Sequence, residues 1–304
     1  MEIRTLLPEE LDAWAIHCET VFQGAGREYF LRHFHNDPWR DINGIFVAVE
    51  AGQIAATVRV FRRQVWLGGQ AVPMGGIGEV STKEAYRGRG LSGELLQRAI
   101  VYMQREGMSV SVLYTGLHGH YERYGWRRVP RAERRFPGAQ GVPCECREGT
   151  PEDLTAIRAL VQRAKPGDWS VVRENDEYWH KWMAAEIAQK KMLVAPEQGR
   201  LEAWLAYTLH GDSWEVVEFG CEPGREGLFD GLCAAAAMRE GRESQPFTAP
   251  AWLPTAATNT ELHANEYTMI RLVAPFVWQG EAIDSTEALA VKWGQCRGSE
   301  LDSF

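Results

Sequence analysis

Glu79-Val-Ser-Thr-Lys-Glu-Ala-Tyr-Arg-Gly-Arg-Gly-Leu-Ser92 runs from a strand pattern through two glycines directly into a helical pattern. The glycines at 88 and 90 let the backbone turn tightly and approach a ligand closely. Free N–H groups of the turn and the positive end of the following helix then surround one point, which suits phosphate oxygens. Arg87 and Arg89 add charge that can fork onto phosphate. We therefore predict an anion site at this turn.

The patterns on either side of the turn indicate the fold class. Residues 45–49 and 54–61 are β-branched runs separated by Ala51-Gly52, which predicts a hairpin. Residues 91–106 carry apolar side chains at the spacing of one helix face, and residues 109–114 form another strand pattern. We therefore predict an α/β (mixed α+β) fold, with a mixed, mainly antiparallel sheet flanked by helices.

Composition and spacing exclude several classes of function. The turn matches neither the Walker nor the dinucleotide-binding glycine spacing, which disfavours nucleotide triphosphatases and hydride-transfer enzymes. The net charge of −8 disfavours nucleic acid as a partner, although residues 1–143 carry 18 basic against 15 acidic side chains. Cys144-x-Cys146 and His263 lack partners at metal-ligand spacing, so no metal is expected. Without a signal peptide, an apolar membrane span or a disulfide framework, we expect a cytoplasmic protein with no membrane partner.

The sequence contains an internal repeat. Arg4-Thr-Leu-Leu-Pro-Glu-Glu-Leu11 matches Arg147-Glu-Gly-Thr-Pro-Glu-Asp-Leu154, at an offset of 143 residues. Glu50-Ala-Gly52 matches Glu197-Gln-Gly199 at an offset of 147, and turn formers at 137–143 mark the join. We predict two copies of one unit and a tail. Their ranges are 1–136, 144–275 and 276–304.

The second copy has a different turn. At the corresponding place the sequence reads Glu222-Pro-Gly-Arg-Glu-Gly227. Pro223 removes a backbone donor, and Glu226 brings a negative charge into a loop that would have to bind an anion. We therefore predict that the second copy has a structural or substrate-shaping role.

Two signatures resemble those of the GNAT acetyltransferases. Arg87-Gly-Arg-Gly-Leu-Ser92 resembles the Arg/Gln-x-x-Gly-x-Gly/Ala pyrophosphate loop, with Ser92 at the last position. The segment 113–126, in which Tyr121 is followed four residues later by Gly-aromatic, is similar to the second signature of that superfamily. The resemblance covers residues 1–135 and implies tandem GNAT folds, with a catalytic, acetyl-coenzyme A-binding domain over 1–136 and a degenerate copy over 144–275.

The resemblance also implies residue roles. Backbone groups of Val80, Ser81 and Thr82 would pair with the pantetheine arm of the cofactor and polarise the thioester carbonyl. Tyr121 corresponds to the general acid, and a phenol with a pKa near 10 suits protonation of a departing thiolate. The residues implied for the pyrophosphate loop are Arg87, Gly88, Arg89, Gly90, Leu91 and Ser92.

The loop and the Tyr121 segment are also similar to the enhanced-intracellular-survival type of acetyltransferase. In that type a C-terminal Phe carboxylate helps to take the amine proton, which implies that Phe304 is a second catalytic residue. Glu79 is a further candidate for relaying the proton, although strand alternation directs it to the opposite face from Val80. Few residues follow Leu272, so we expect the third, sterol-carrier-like domain of that type to be absent or reduced to a fragment.

These observations predict an acetyl-coenzyme A-dependent N-acetyltransferase whose acceptor is a small-molecule or peptide amine. Two alternatives stay open, namely a non-catalytic module that senses acyl-coenzyme A, and transfer of an acetyl group to oxygen or of a longer acyl chain. A homo-oligomer is also compatible with the resemblance. The identity of the acceptor does not follow from the sequence, because loops build acceptor pockets without leaving a motif.

Overall fold

The computed structural model describes residues 1–163 and 169–294. They divide into two units, 1–129 with 266–294 and 130–163 with 169–265. The helices are α1 (Leu11–Val21), α2 (Arg27–Asn36), α3 (Leu91–Arg105), α4 (His118–Glu122), α5 (Leu154–Arg163), α6 (Ala184–Ile187), α7 (Leu228–Glu240) and α8 (Thr286–Gly294). None of these helices is long and apolar enough to cross a membrane.

Both units contain strands, and those of the first unit come before and after those of the second in sequence. In chain order they are β1 (Glu2–Thr5), β2 (Ile45–Glu50), β3 (Gln53–Leu67), β4 (Gln70–Thr82), β5 (Val110–Tyr114), β6 (Arg127–Arg128), β7 (Arg131–Phe136), β8 (Arg147–Glu148), β9 (Trp169–Val171), β10 (Lys191–Glu197), β11 (Arg200–His210), β12 (Ser213–Cys221), β13 (Phe247–Pro250), β14 (Glu261–Asn265), β15 (Thr268–Leu272), β16 (Phe276–Trp278) and β17 (Glu281–Ile283).

The sheet of the first unit has the order β1-β2-β3-β4-β5-β15-β6. Its β4–β5 pair is parallel and its other pairs are antiparallel. Alternation along β2 divides its side chains between the two faces. Ile45, Val47 and Val49 pack with α1 and α2, whereas Phe46 and Ala48 belong to the core on the α3 side. The predicted mixed, mainly antiparallel sheet flanked by helices is confirmed.

The second unit has a seven-stranded sheet in the order β14-β7-β13-β12-β11-β10-β8. Its β12–β13 pair is parallel and the other pairs are antiparallel. Stacked rings dominate the core on the α7 side, because Phe247 lies 4.2 Å from Phe136 and 4.2 Å from Trp214 between ring centroids. This unit therefore has its own hydrophobic core.

The internal repeat appears in both units as the same hairpin. Ala51 and Gly52, between β2 and β3, have φ angles of 50° and 75°. Gln198 and Gly199, between β10 and β11, have φ angles of 51° and 80°. Two successive residues with positive φ are typical of the turn that matches strand twist in a two-residue hairpin.

The same ion pair precedes the first helix of each unit. Arg4 donates two hydrogen bonds to Glu10, at 2.7 and 2.8 Å. Arg147 donates two to Asp153, at 2.7 and 2.6 Å. In both places the acid also accepts from the backbone N–H three residues earlier, which satisfies a donor at the start of a helix.

The structure differs from the predicted boundaries at 136 and 275 and from the predicted tail. Strand β7 pairs within the second sheet, whereas β15 lies between β5 and β6 in the first. Residues 276–294 form the β16–β17 hairpin and α8, which contacts β15 and β6. Local pattern identifies a strand but not its partner, because pairing depends on which sheet edges are available in space.

Candidate active site

Strands β4 and β5 separate partway along their length. Their parallel pairing runs from Met74–Val110 to Gly76–Val112, after which β4 continues to Thr82. Among the described residues, no strand therefore pairs with β4 beyond Gly76 on that side. An open strand edge presents N–H and C=O groups that can pair with an extended ligand. Val80, Ser81 and Thr82 all lie on this open segment.

A β-bulge interrupts the same segment of β4. Arg59 on β3 pairs with Gly78, but Thr57 pairs with Ser81, so the two strands differ by one residue between these pairs. Glu79 occupies the bulge with a φ of +53°, which is uncommon for a residue with a side chain. Bulges re-aim the side chains next to them and often occur beside functional sites.

The two residues after the bulge, Val80 and Ser81, point to opposite faces of the sheet. Val80 packs against the α3-side core. Ser81 faces α1, where its hydroxyl lies 2.9 Å from Nε2 of the buried His17. The Ser81 hydroxyl is therefore engaged by His17, and in the β3–β4 pair Ser81 lies opposite Thr57.

Glu79 is buried against charged and aromatic side chains. Its Oε1 lies 3.3 Å from Arg59, which contacts the rings of Trp14 and Phe34 and also pairs with Asp37. Its Oε2 is buried and has no hydrogen-bond partner among the described residues. Burial raises the pKa of Glu79 above its ordinary value of 4.5, and Arg59 opposes that change.

The loop before α3 has a row of unused donors. Within the described part of the chain, the backbone N–H groups of residues 88–92 donate to no acceptor. Gly88 and Gly90 have φ angles of +76° and +75°, and a Cβ atom on either would meet nothing within 4 Å. Leu91 is buried as the first residue of α3 and Ser92 is half-buried behind the turn. The loop can therefore accept a group with several oxygen atoms.

The two arginines of the loop are both exposed but have different partners. Arg87 donates from Nε to the Thr82 carbonyl oxygen at 3.4 Å. Arg89 donates from Nη1 and Nη2 to the carboxylate of Glu50, at 3.1 and 3.0 Å. The charge of Arg89 is thus partly neutralised by a residue at the end of β2.

Tyr121 lies on α4, in the core that contains the start of α3. It shares that cluster with Leu91, and its ring meets Trp126 edge-on at 6.3 Å. The side chain is 8% exposed, and its hydroxyl makes no hydrogen bond within the described ranges. Burial raises the pKa of Tyr121 to about 12, so the phenol keeps its proton at neutral pH.

Tyr124 and Gly93 also fit together at the start of α3. A Cβ atom on Gly93 would clash with the Tyr124 hydroxyl, so that hydroxyl lies over the first turn of the helix. Gly125, with a φ of +89°, turns the chain between Tyr124 and Trp126. The predicted Gly-aromatic signature therefore brings the Tyr121 segment against the loop and helix.

In the corresponding loop of the second unit, most backbone N–H groups have acceptors within the loop itself. The backbone N–H groups of Arg225, Leu228 and Phe229 bond to backbone oxygens. The carboxylate of Glu226 accepts from the Gly224 N–H at 3.1 Å, and backbone donors hold the pKa of Glu226 below its ordinary value. Gly227 has a φ of −63°, unlike the left-handed Gly90.

Sequence reasoning missed the partners that position these residues. His17 and Arg59 follow no motif, and Glu50 stood out only as part of the repeat. Nothing local could reveal them, because each meets its partner across a large separation in sequence. Phe304, the second predicted catalytic residue, lies outside the described residues. Residues 1–163 and 169–294 contain no group of three or more His, Cys, Asp or Glu that could hold a metal ion.

The splayed sheet and the glycine-rich loop at the start of α3 define a GNAT-like fold. Residues 2–129 match the family model described as an acetyltransferase (GNAT) domain. This part of the chain therefore matches a GNAT acetyltransferase domain, which supports acyl transfer as its activity.

Solved structures with low sequence identity share this fold. A probable N-acyltransferase from Enterococcus faecalis V583 is 19% identical, with a TM-score of 0.69 over 90% of this chain and 72% of its own. Eis1 from Mycobacterium abscessus is 16% identical, with a TM-score of 0.61 over 90% and 74% of the two chains. Saccharomyces cerevisiae N-myristoyltransferase with bound myristoyl-CoA is 10% identical, with a TM-score of 0.54 over 82% and 72%. No curated protein sequence matches the chain.

Proposed function

We propose that this protein transfers an acetyl group from acetyl-coenzyme A directly to the nitrogen of a small-molecule or peptide amine. The observation that carries the proposal is the row of unused N–H groups at residues 88–92, beside the open edge of β4. A coenzyme A thioester has a pyrophosphate for the loop and an extended amide-bearing arm for the strand edge. The myristoyl-CoA complex of the yeast neighbour supports a coenzyme A thioester as donor.

The donor would lie with its pyrophosphate on the N–H groups of the loop and its arm along Val80, Ser81 and Thr82. Backbone donors at the bulge would then polarise the thioester carbonyl, which stabilises negative charge on its oxygen during attack. Gly88 and Gly90 keep the approach open, because neither places a side chain above the turn. Arg87 and Arg89 supply positive charge at the same end of the arm.

The reaction needs two proton transfers. The amine nitrogen forms a bond to the thioester carbon, the carbon–sulfur bond breaks, and the sulfur takes a proton from the Tyr121 hydroxyl. Burial raises the pKa of Tyr121, but the same burial strengthens a thiolate as a base, so the transfer remains feasible. The amine gives up its own proton, for which the unpaired Oε2 of Glu79 is the candidate acceptor within the described residues.

The second unit would support or shape the site without binding a donor. Its loop already holds the Glu226 carboxylate where an anion would bind. An acetyl-coenzyme A pyrophosphate would have to displace that carboxylate against like charge. We therefore expect one donor per chain.

A thiol-release assay with acetyl-coenzyme A and a library of amines tests this function. Amine-dependent release of one thiol per acetylated nitrogen is the expected result. Donor binding without release for any amine would favour a module that senses acyl-coenzyme A. Release with hydroxyl acceptors or only with longer acyl donors would point to the other forms of acyl transfer.

A further inference from the structure

Within residues 1–163 and 169–294, Glu50 is the one carboxylate that contacts the loop of residues 87–92, here called the donor loop. Its two oxygens accept from Nη1 and Nη2 of Arg89 at 3.1 and 3.0 Å, in the forked geometry that a phosphate would also use. Both side chains are partly exposed, at 44% for Arg89 and 35% for Glu50. The Arg89 guanidinium also lies 5.4 Å above the ring of Tyr86. The contact therefore lies where it can open without disturbing the core.

The second unit repeats this contact. Arg225, in its loop, pairs with Glu197, the last residue of β10 before the repeated hairpin, just as Glu50 is the last residue of β2. There Arg225 also bonds to Glu202 at 3.1 Å, and the Glu226 carboxylate takes the Gly224 N–H. Among the residues that the structure describes, the loop of the second unit thus contacts three carboxylates, whereas the donor loop of the first unit contacts one.

We propose that the charge of Glu50 lowers the affinity of the donor loop for the phosphates of coenzyme A, an effect that we call the electrostatic brake. The Glu50 carboxylate competes with the phosphates of coenzyme A for Arg89 and weakens the hold of the loop on both acetyl-coenzyme A and free coenzyme A. The inference rests on the proposed donor site. Glu50 is a positioning residue that acts through Arg89, and it makes no contact with the reacting atoms.

A brake of this kind suits an enzyme that must release its product. Free coenzyme A keeps every phosphate of the donor, so a loop with full affinity for pyrophosphate would hold product as firmly as substrate. Product release limits turnover in many enzymes. Because the ion pair is exposed, its effect is modest, on the order of two- to fivefold in affinity, and salt reduces it.

Calorimetric titration of the full chain with free coenzyme A tests the proposal. Glu50→Gln keeps the size of the side chain and removes its charge, so the dissociation constant should fall about two- to fivefold at low salt. The gain should shrink at high salt and disappear in an Arg89→Gln background. In steady-state assays the KM for acetyl-coenzyme A should fall without a rise in kcat.

Glu197→Gln is the matched control, because it breaks the same type of ion pair in the second loop. It should leave the dissociation constant for coenzyme A unchanged. Unchanged or weaker binding by Glu50→Gln would overturn the brake, and weaker binding would mean that Glu50 holds Arg89 ready for phosphate. Absence of binding by the unmodified protein would instead refute the donor site itself.

Discussion

His17 on α1 contacts both β3 and the bulged segment of β4, one through each of its ring nitrogens. Nε2 lies 2.9 Å from Ser81 Oγ, and Nδ1 lies 3.0 Å from the Ile54 carbonyl oxygen. A carbonyl oxygen only accepts, so Nδ1–H donates to Ile54 and the Ser81 hydroxyl donates to Nε2. This arrangement needs a neutral ring, and burial provides it by lowering the pKa of His17 to about 4.

The first prediction concerns the pH dependence of stability. The pKa of His17 is about 4 in the folded protein against an ordinary 6.5, so only the unfolded state binds this proton between those values. The contribution of His17 to stability is therefore complete above pH 6.5 and is lost as pH falls toward 4, by at most about 3 kcal/mol. Urea unfolding of the protein and of His17→Gln between pH 6.5 and 4 measures this loss in the free energy of unfolding. An equally steep loss in the variant would contradict the assignment.

Gly90→Glu should abolish binding of acetyl-coenzyme A. The new carboxylate would lie where the pyrophosphate binds, in a loop that is exposed and outside the core. A left-handed φ of +75° also strains the new residue, by roughly 1–2 kcal/mol. Gly224→Glu is the matched control, because its φ of +84° and open surroundings impose similar strain in the second loop. Calorimetry should find no binding for the first variant and one donor per chain for the second.

Tyr121→Phe should lower kcat on the order of 10²–10⁴-fold, the usual loss when a general acid is removed. The ring keeps its edge-on contact with Trp126 and its place in the core, so the affinity for acetyl-coenzyme A and the melting temperature should hardly change. Steady-state kinetics and calorimetry together separate the two effects. Retention of kcat would assign protonation of the thiolate to water or to another side chain.

Glu79→Gln tests the proton acceptor. Burial raises the pKa of Glu79, so activity that needs the ionised carboxylate should decline on the acid side at a pH above its ordinary value of 4.5. The variant should lose on the order of 10²–10⁴-fold in kcat and also lose this acid limb. The measurement is the pH profile of kcat.

Glu218→Gln provides the control for loss of a buried ion pair. Glu218 accepts from Arg173 at 2.8 and 3.2 Å in the second unit, far in sequence from the donor loop. The Glu218→Gln variant should lower the melting temperature but leave the pH profile of kcat unchanged. If Glu79→Gln keeps both its rate and its acid limb, the proton leaves by another route, and deletion of 301–304 then tests the predicted role of Phe304.

Short-range features of the sequence determined the loop, the hairpins and the helix faces. The predicted helix over 91–106 spans Leu91–Arg105, and its apolar residues at 91, 95, 99 and 103 are all buried. The predicted turn at Ala51-Gly52 has the expected positive φ angles. These features depend on backbone sterics and side-chain periodicity within a few residues, so a single sequence suffices to predict them.

The tertiary structure alone decided which distant groups meet. Strand β15 pairs with β5 in the first sheet although it follows the whole second unit in sequence. Arg89 finds Glu50 across 39 residues, and Ser81 finds His17 across 64. Such contacts depend on which surfaces remain to be covered once the local elements have formed, and periodicity carries no information about that choice. The anion loop could therefore be predicted from its own residues, whereas the groups that hold and restrain it could not.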